Sequence, residues 1–203
     1  MSDSYKLPLS FYLRPDVVQI SKELLGKFLI TVFNNQLTAG MIVETEAYQG
    51  LTDRASHSFN GRYTARTRIM YQSGGVAYVY LIYGMHHLFN IVTNKRDIPD
   101  AVLVRALQPA NGIEIMMRRR GLSSATSKLS NGPALLTRAL GITSIHSGLS
   151  LLGQQIWLED RGIVIAEKDI LSGKRVGISY AGKDAQRLWR FRIKGNPWCS
   201  RAK

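Results

Sequence analysis

The chain has 203 residues, 45% of them hydrophobic, and a formal charge of +13 from 27 Lys and Arg against 14 Asp and Glu. That length and composition suit one domain, 1–203, with an ample core, and no apolar run is long enough to span a bilayer. A charge this large attracts polyanions through counterion release and steering. Membrane-surface binding is disfavoured, because no segment is both strongly amphipathic and lysine-rich. A single cysteine, Cys199, rules out an intrachain disulfide and suits a reducing compartment. The start, M-S-D-S-Y-K-L-P, lacks the basic-then-apolar order of a secretory signal.

Residues 1–10 read as a loose leader. Pro15 opens a helix carrying Val17, Ile20 and Leu24 on one stripe, closed by Gly26. Phe28–Phe33 reads as a strand, Asn34-Asn35 as a turn, and Met41–Tyr48 as a second strand. Period two puts Met41, Val43, Thr45 and Ala47 on one face of it and Ile42, Glu44, Glu46 and Tyr48 on the other. Two carboxylates and a ring on one face make a poor core and a plausible active-site wall. Residues 49–75 form a long polar segment with four arginines, Arg54, Arg62, Arg66 and Arg68. A segment of that length with little periodicity is functional or disordered, and its place between two pocket walls favours function.

A strand follows from Tyr78 to Tyr83, then a turn at Gly84, then a strand from Leu88 to Thr93, which puts Tyr83 at a hairpin tip. Ala101–Leu107 is a buried strand broken by one charge, Arg105. Asn111–Arg120 and Pro133–Leu140 read as helices around a serine-rich loop. Short strands are expected at Gln155–Leu158, Ile163–Glu167, Val176–Ser179 and Leu188–Lys194. In the last, Trp189, Phe191 and Ile193 alternate with Arg190, Arg192 and Lys194, one face core and one basic. The order implies an α/β fold of the α+β type: a single domain with a curved, mostly antiparallel sheet flanked by helices.

The chemistry concentrates between Met41 and Asn90. Glu44 and Glu46 stand roughly 7 Å apart as i and i+2 of a strand. Spacing alone therefore leaves an O-glycosidase pair open. Metal ligation fits poorly: of four histidines (His57, His86, His87, His146), none has zinc-ligand spacing with Cys199. The segments E-T-E-A-Y (44–48), A-S-H-S (55–58), G-R-Y-T-A-R-T (61–67), Y-V-Y-L-I-Y-G-M (78–85), Asn90, L-V-R-A-L-Q-P (103–109), N-G-P-A-L-L-T-R-A-L (131–140) and G-N-P-W-C-S (195–200) run through nearly the whole chain. In that order they resemble the alkyladenine (3-methyladenine) DNA glycosylase family, the monofunctional purine glycosylases of base-excision repair.

The resemblance implies a β-hairpin projecting from the body and a damaged purine taken from double-stranded DNA. It implies Glu46 as the general base that activates water for the N-glycosidic bond, with Arg105 helping to hold that water and a nearby phosphate. It places Tyr48, His57 and Tyr80 around the flipped base. Asn90 then lines the pocket, where it disfavours the amino group of normal guanine, and Tyr83 plugs the vacated stack. Arg62, Arg66, Arg68, Arg118 and the basic 190–194 face are candidate phosphate contacts. No metal or organic cofactor is implied, and no lysine in the matched motifs suggests Schiff-base chemistry. A monomer working inside the cell, with the DNA, is expected. Two alternatives stay open: a non-catalytic lesion-binding module, and a hydrolase of nucleosides or sugars. The loop at 94–99 and His86, where some relatives carry an aromatic, leave substrate preference open.

Overall fold

Asn34 and Asn35 both adopt left-handed backbone, with φ of 51° and 59°, the geometry of a two-residue type I′ hairpin turn. They join β1 (Phe28–Phe33) to β2 (Gln36–Tyr48) in antiparallel register from Phe33↔Gln36 to Phe28↔Met41. The turn starts the pairing at once, so β2 begins at Gln36 rather than at the expected Met41. The structure, a computed structural model, describes residues 5–201.

Six further strands complete the sheet: β3 (Val76–Ile82), β4 (His86–Thr93), β5 (Asp100–Asn111), β6 (Ile156–Glu159), β7 (Ile170–Gly173) and β8 (Arg190–Ile193). The order is β3-β4-β5-β2-β1-β6, with β8 on β2 and β7 on β8. All these pairings are antiparallel. Strand β2 is the hub. It pairs with β5 along one edge, and on the other with β1 as far as Met41 and with β8 from Glu44 to Glu46.

The helices are α1 (Leu9–Tyr12), α2 (Val17–Glu23), α3 (Ile113–Arg120) and α4 (Pro133–Leu140). Helix α2 packs on β2 and β5, α4 on β4 and β5, and α3 on α4. Ile20, Leu24, Phe89, Ile91, Leu107 and Leu140 are buried in the shared core, each contributing about 1.5–3 kcal/mol from area removed from water. The fold is the expected α+β single domain with an antiparallel sheet. Its β3–β4 hairpin pairs from Val76↔Val92 to Ile82↔His86, so Tyr83, Gly84 and Met85 form the connection.

Several local expectations give way. Of the supposed loose leader, residues 1–4 lie outside the described residues, but Lys6 bridges to Glu159 and buried Leu7 donates its N–H to Leu158 O at 2.9 Å. The helix begins after Asp16, whose carboxylate caps Gln19 N at 2.9 Å, so Pro15 precedes it instead of opening it. Gly112, at φ 67°, separates β5 from α3, which therefore starts at Ile113 and not at Asn111.

No strand forms at 163–167 or 176–179. Ile165 packs on the core as a single side chain. Gly177 turns the chain at φ 74°, and Val176 gives its N–H to a side chain rather than to a ladder. Strict alternation also fails in β2. Register shifts against β5 between Ile42 and Glu44 and between Glu44 and Thr45 leave Ile42 and Ala47 in one apolar cluster. Finally, Arg190 is not on a basic surface; it is buried against Glu44.

Candidate active site

Glu46 lies on β2, where β5 and β8 flank it on either side, and it is fully buried. Its Oε1 accepts the Val176 N–H at 2.8 Å and pairs with Arg105 Nη1 at 3.1 Å. Its Oε2 accepts the Tyr48 hydroxyl at 2.7 Å. Burial, then the Glu46 charge, holds that hydroxyl well above the usual tyrosine range, so it stays a donor. Arg105, which the sequence marks as a lone charge in an apolar strand, reaches both Glu46 and Glu44. Burial alone would pull its pKa down; the two carboxylates outweigh that and hold it above the ordinary arginine value.

In front of this cluster opens a cavity of about 510 Å³, lined among others by Tyr48, His57, Arg66, Tyr80, Asn90 and Arg105. The sheet supplies Tyr48, Tyr80, Asn90 and Arg105 from four neighbouring strands. His57 comes from the 49–75 segment. That segment folds back because Gly50 passes so close to Pro99 that a Cβ would stand 2.2 Å from its carbonyl oxygen. The Gly50 N–H is held by Asp100 Oδ1 at 2.8 Å.

His57 stands edge-on to Tyr80, ring centres 4.6 Å apart, and its Nδ1 shares a 2.9 Å hydrogen bond with the Tyr78 hydroxyl. Burial, followed by the charges of Arg66 and Arg62, lowers its pKa to about 4. The ring is therefore neutral at neutral pH. The Asn90 amide donates to Tyr78 O at 3.2 Å, which fixes its orientation.

Arg66 is drawn into the cavity wall. Its guanidinium carbon is 4.7 Å from the Tyr80 ring centre, and Nη2 lies 2.9 Å from His57 Nε2. Tyr83 lines the mouth and is 84% exposed. Arg62 and Arg68 lie on the same segment outside the cavity lining. Arg118 is remote. It belongs to the last turn of α3, where Arg119 reaches Thr38. Thr38 and Glu46 are roughly 26 Å apart along β2 at strand rise.

Several neighbours escaped the sequence reading. Tyr78 anchors His57. Arg175 is paired bidentately with Asp53 and lies over Tyr48. Val176 holds Glu46, Tyr180 lines the cavity, and Ser200 holds Glu44. Arg175 carried no signal of its own: it follows Lys174 in S-G-K-R-V-G, whereas Arg105 stands alone in an apolar strand.

A cavity walled by aromatic rings can hold a flat heterocycle, and the Arg105 guanidinium in its wall, paired with the buried Glu46 carboxylate, can polarise a water beside it. Among the described residues no group of three or more His, Cys, Asp or Glu could hold a metal ion. The chain matches the family model for methylpurine-DNA glycosylase over residues 10–197 and belongs to that family. It is thus a DNA glycosylase of base-excision repair, hydrolysing N-glycosidic bonds with DNA as substrate. It is 44% identical to a protein of Alkaliphilus oremlandii (strain OhILAs), covering 97% of this chain and 99% of that one. It is 42% identical to one of Bacillus cytotoxicus, covering 97% and 100%, and 43% identical to one of Chlamydia felis, covering 91% and 94%. All three carry the name "Putative 3-methyladenine DNA glycosylase".

Proposed function

We propose that this glycosylase acts as a monomer, flips an alkylated or deaminated purine out of duplex DNA into the aromatic cavity, and cuts it from its sugar with a water activated by Glu46. The water oxygen bonds to C1′, the C1′–N bond breaks, and its electron pair leaves with the base. Glu46 takes the proton that the water loses. The observation that carries this reading is the triple anchoring of Glu46 by Tyr48, Val176 and Arg105, all three of which line a cavity of about 510 Å³. These three contacts fix the orientation of the carboxylate, as a base that must meet a water needs.

Tyr48, His57 and Tyr80 supply the walls for a flipped base, and Asn90 a fixed amide at its edge. A neutral His57 adds no positive charge beside a formally cationic base. Such a base is already a good leaving group, so 3-methyladenine, the base in the relatives' name, needs no general acid from the chain. Tyr83 fills the gap left in the stack, while Arg62, Arg68 and Arg118 meet phosphates.

The test is Glu46→Gln on a duplex carrying an alkylated purine. Base release should fall about 10²–10⁴-fold with lesion binding retained. Near wild-type release under single-turnover conditions would remove Glu46 as the base. Binding without release by the wild type would favour a lesion-binding module, and turnover of free nucleosides a different hydrolase.

A further inference from the structure

Glu44, two residues before Glu46, is fully buried and exceptionally well satisfied. Its Oε1 accepts Arg105 Nε at 2.9 Å, Arg190 Nε at 2.8 Å and the Ser200 hydroxyl at 2.8 Å. Its Oε2 accepts the Ser200 N–H at 2.6 Å. Three separated parts of the chain, β5, β8 and the segment after β8, thus converge on one carboxylate that does not line the cavity.

As a stability device this is weak, because a buried ion cluster often does no better than apolar side chains of the same volume. Its distinctive property is that Arg105 is shared. Nε goes to Glu44, Nη1 goes to Glu46, and Nη2 makes no hydrogen bond among the described residues although the side chain lines the cavity. A guanidinium given wholly to Glu46 would form a bidentate pair, favour its ionised form strongly and weaken it as a base. Pulled back by Glu44, the same guanidinium meets Glu46 with one nitrogen and keeps another edge toward the cavity.

We propose that Glu44, seated on Arg190 and Ser200, is a positioning residue for the reaction: it divides Arg105 between two carboxylates, which preserves the basicity of Glu46 and turns the guanidinium toward the cavity. This rests on Glu46 being the base. The other groups facing Glu46 are the Tyr48 hydroxyl from β2, the Val176 N–H, Tyr80 from β3 and the Arg175 guanidinium. Arg190 is the β8 partner of Glu46, but its charge is committed to Glu44. None of these substitutes for Glu44, because none competes for Arg105 as an anion.

The experiment is single-turnover excision against pH for wild type, Glu44→Gln and Glu46→Gln. In Glu44→Gln a negative neighbour of Glu46 is gone and Arg105 is free to pair with it fully. The acid limb of the profile should move down by about one pH unit, and the plateau rate should fall roughly tenfold. An acid limb and plateau like wild type would overturn the proposal. So would a plateau loss with an unmoved limb, which is what a merely structural residue gives. If Glu46→Gln excises at the wild-type rate, the base assignment fails; if it is inactive and the Glu44→Gln limb does not move, only the positioning role fails. Should Glu44→Gln not fold, Ser200→Ala carries the test, since it removes the hydroxyl's bonds to Glu44 and from Arg190 but no charge. It should lower excision a few-fold with unchanged affinity for the lesion duplex, and wild-type excision would overturn the proposal.

Discussion

The guanidinium of Arg175 stacks on Tyr48, its carbon 4.7 Å from the ring centre, while its nitrogens grip both carboxylate oxygens of Asp53. Arg175 also donates to Ala47 O at 2.8 Å and precedes Val176, which holds Glu46. One buried ion pair thus backs a cavity wall and seats the neighbouring carboxylate.

Asp53→Asn should therefore destabilise the fold by about 3–5 kcal/mol, because it leaves Arg175 as an uncompensated buried charge. Replacing both partners, as Asp53→Leu with Arg175→Met, should recover much of that loss. Denaturant unfolding of the two variants checks it; equal losses in both would mean the ion pair matters through packing rather than charge.

His57 links stability to pH. The folded ring protonates only near pH 4, against 6.5 ordinarily. Below 6.5 the unfolded chain takes up a proton that the folded chain refuses. The contribution of a neutral His57 is thus complete above pH 6.5 and declines as pH falls toward 4, by up to about 3 kcal/mol. His57→Gln should flatten this part of the acid-side decline. A proton titration that places the His57 midpoint near 6.5 would contradict the burial argument.

These two relationships also mark what the sequence could and could not tell. Local signals translated directly: Asn34-Asn35 made its hairpin, Pro133 and Gly141 bounded α4, and the Glu46–Tyr48 spacing put a carboxylate and a hydroxyl in contact. The Arg175–Asp53 pair joins residues 122 apart, and no local pattern names the partner of a buried charge over that distance. The missed register shift in β2 has a similar cause, because a bulge depends on the facing strand and leaves no mark in an alternating run. Arg190 misled for a related reason: alternation predicts which face a side chain takes, but not whether a carboxylate waits there.

Affinity for undamaged duplex should fall steeply with salt, since each phosphate neutralised releases counterions. Arg62→Ala, Arg68→Ala and Arg118→Ala should each reduce the slope of log affinity against log salt by about 0.9 if the arginine meets a phosphate. The comparison is informative because Arg62 and Arg68 share a segment with the cavity residue Arg66, while Arg118 is remote. An arginine whose removal leaves the slope unchanged makes no phosphate contact.

Tyr83 separates a wedge from a packing residue by the sign of two effects. The ring is 84% exposed, and its backbone is left-handed at φ 53°, a conformation that is uncommon for a bulky side chain and unfavourable by roughly 1–2 kcal/mol. Glycine adopts it freely. Tyr83→Gly should therefore stabilise the fold by up to about 1 kcal/mol, and Tyr83→Ala should leave stability nearly unchanged, because little packing is lost. Both should impair excision if the ring fills the vacated stack, since flipping then loses a partner for the exposed neighbours. The loss should be greater for a lesion in a stable pair than for the same lesion in a bulge or mismatch, where unstacking is easier. Melting temperatures of the three proteins, and their excision on both duplexes relative to wild type, decide it. Lower stability with a uniform loss on both duplexes would make Tyr83 a packing residue, and full activity of both variants would place the wedge elsewhere.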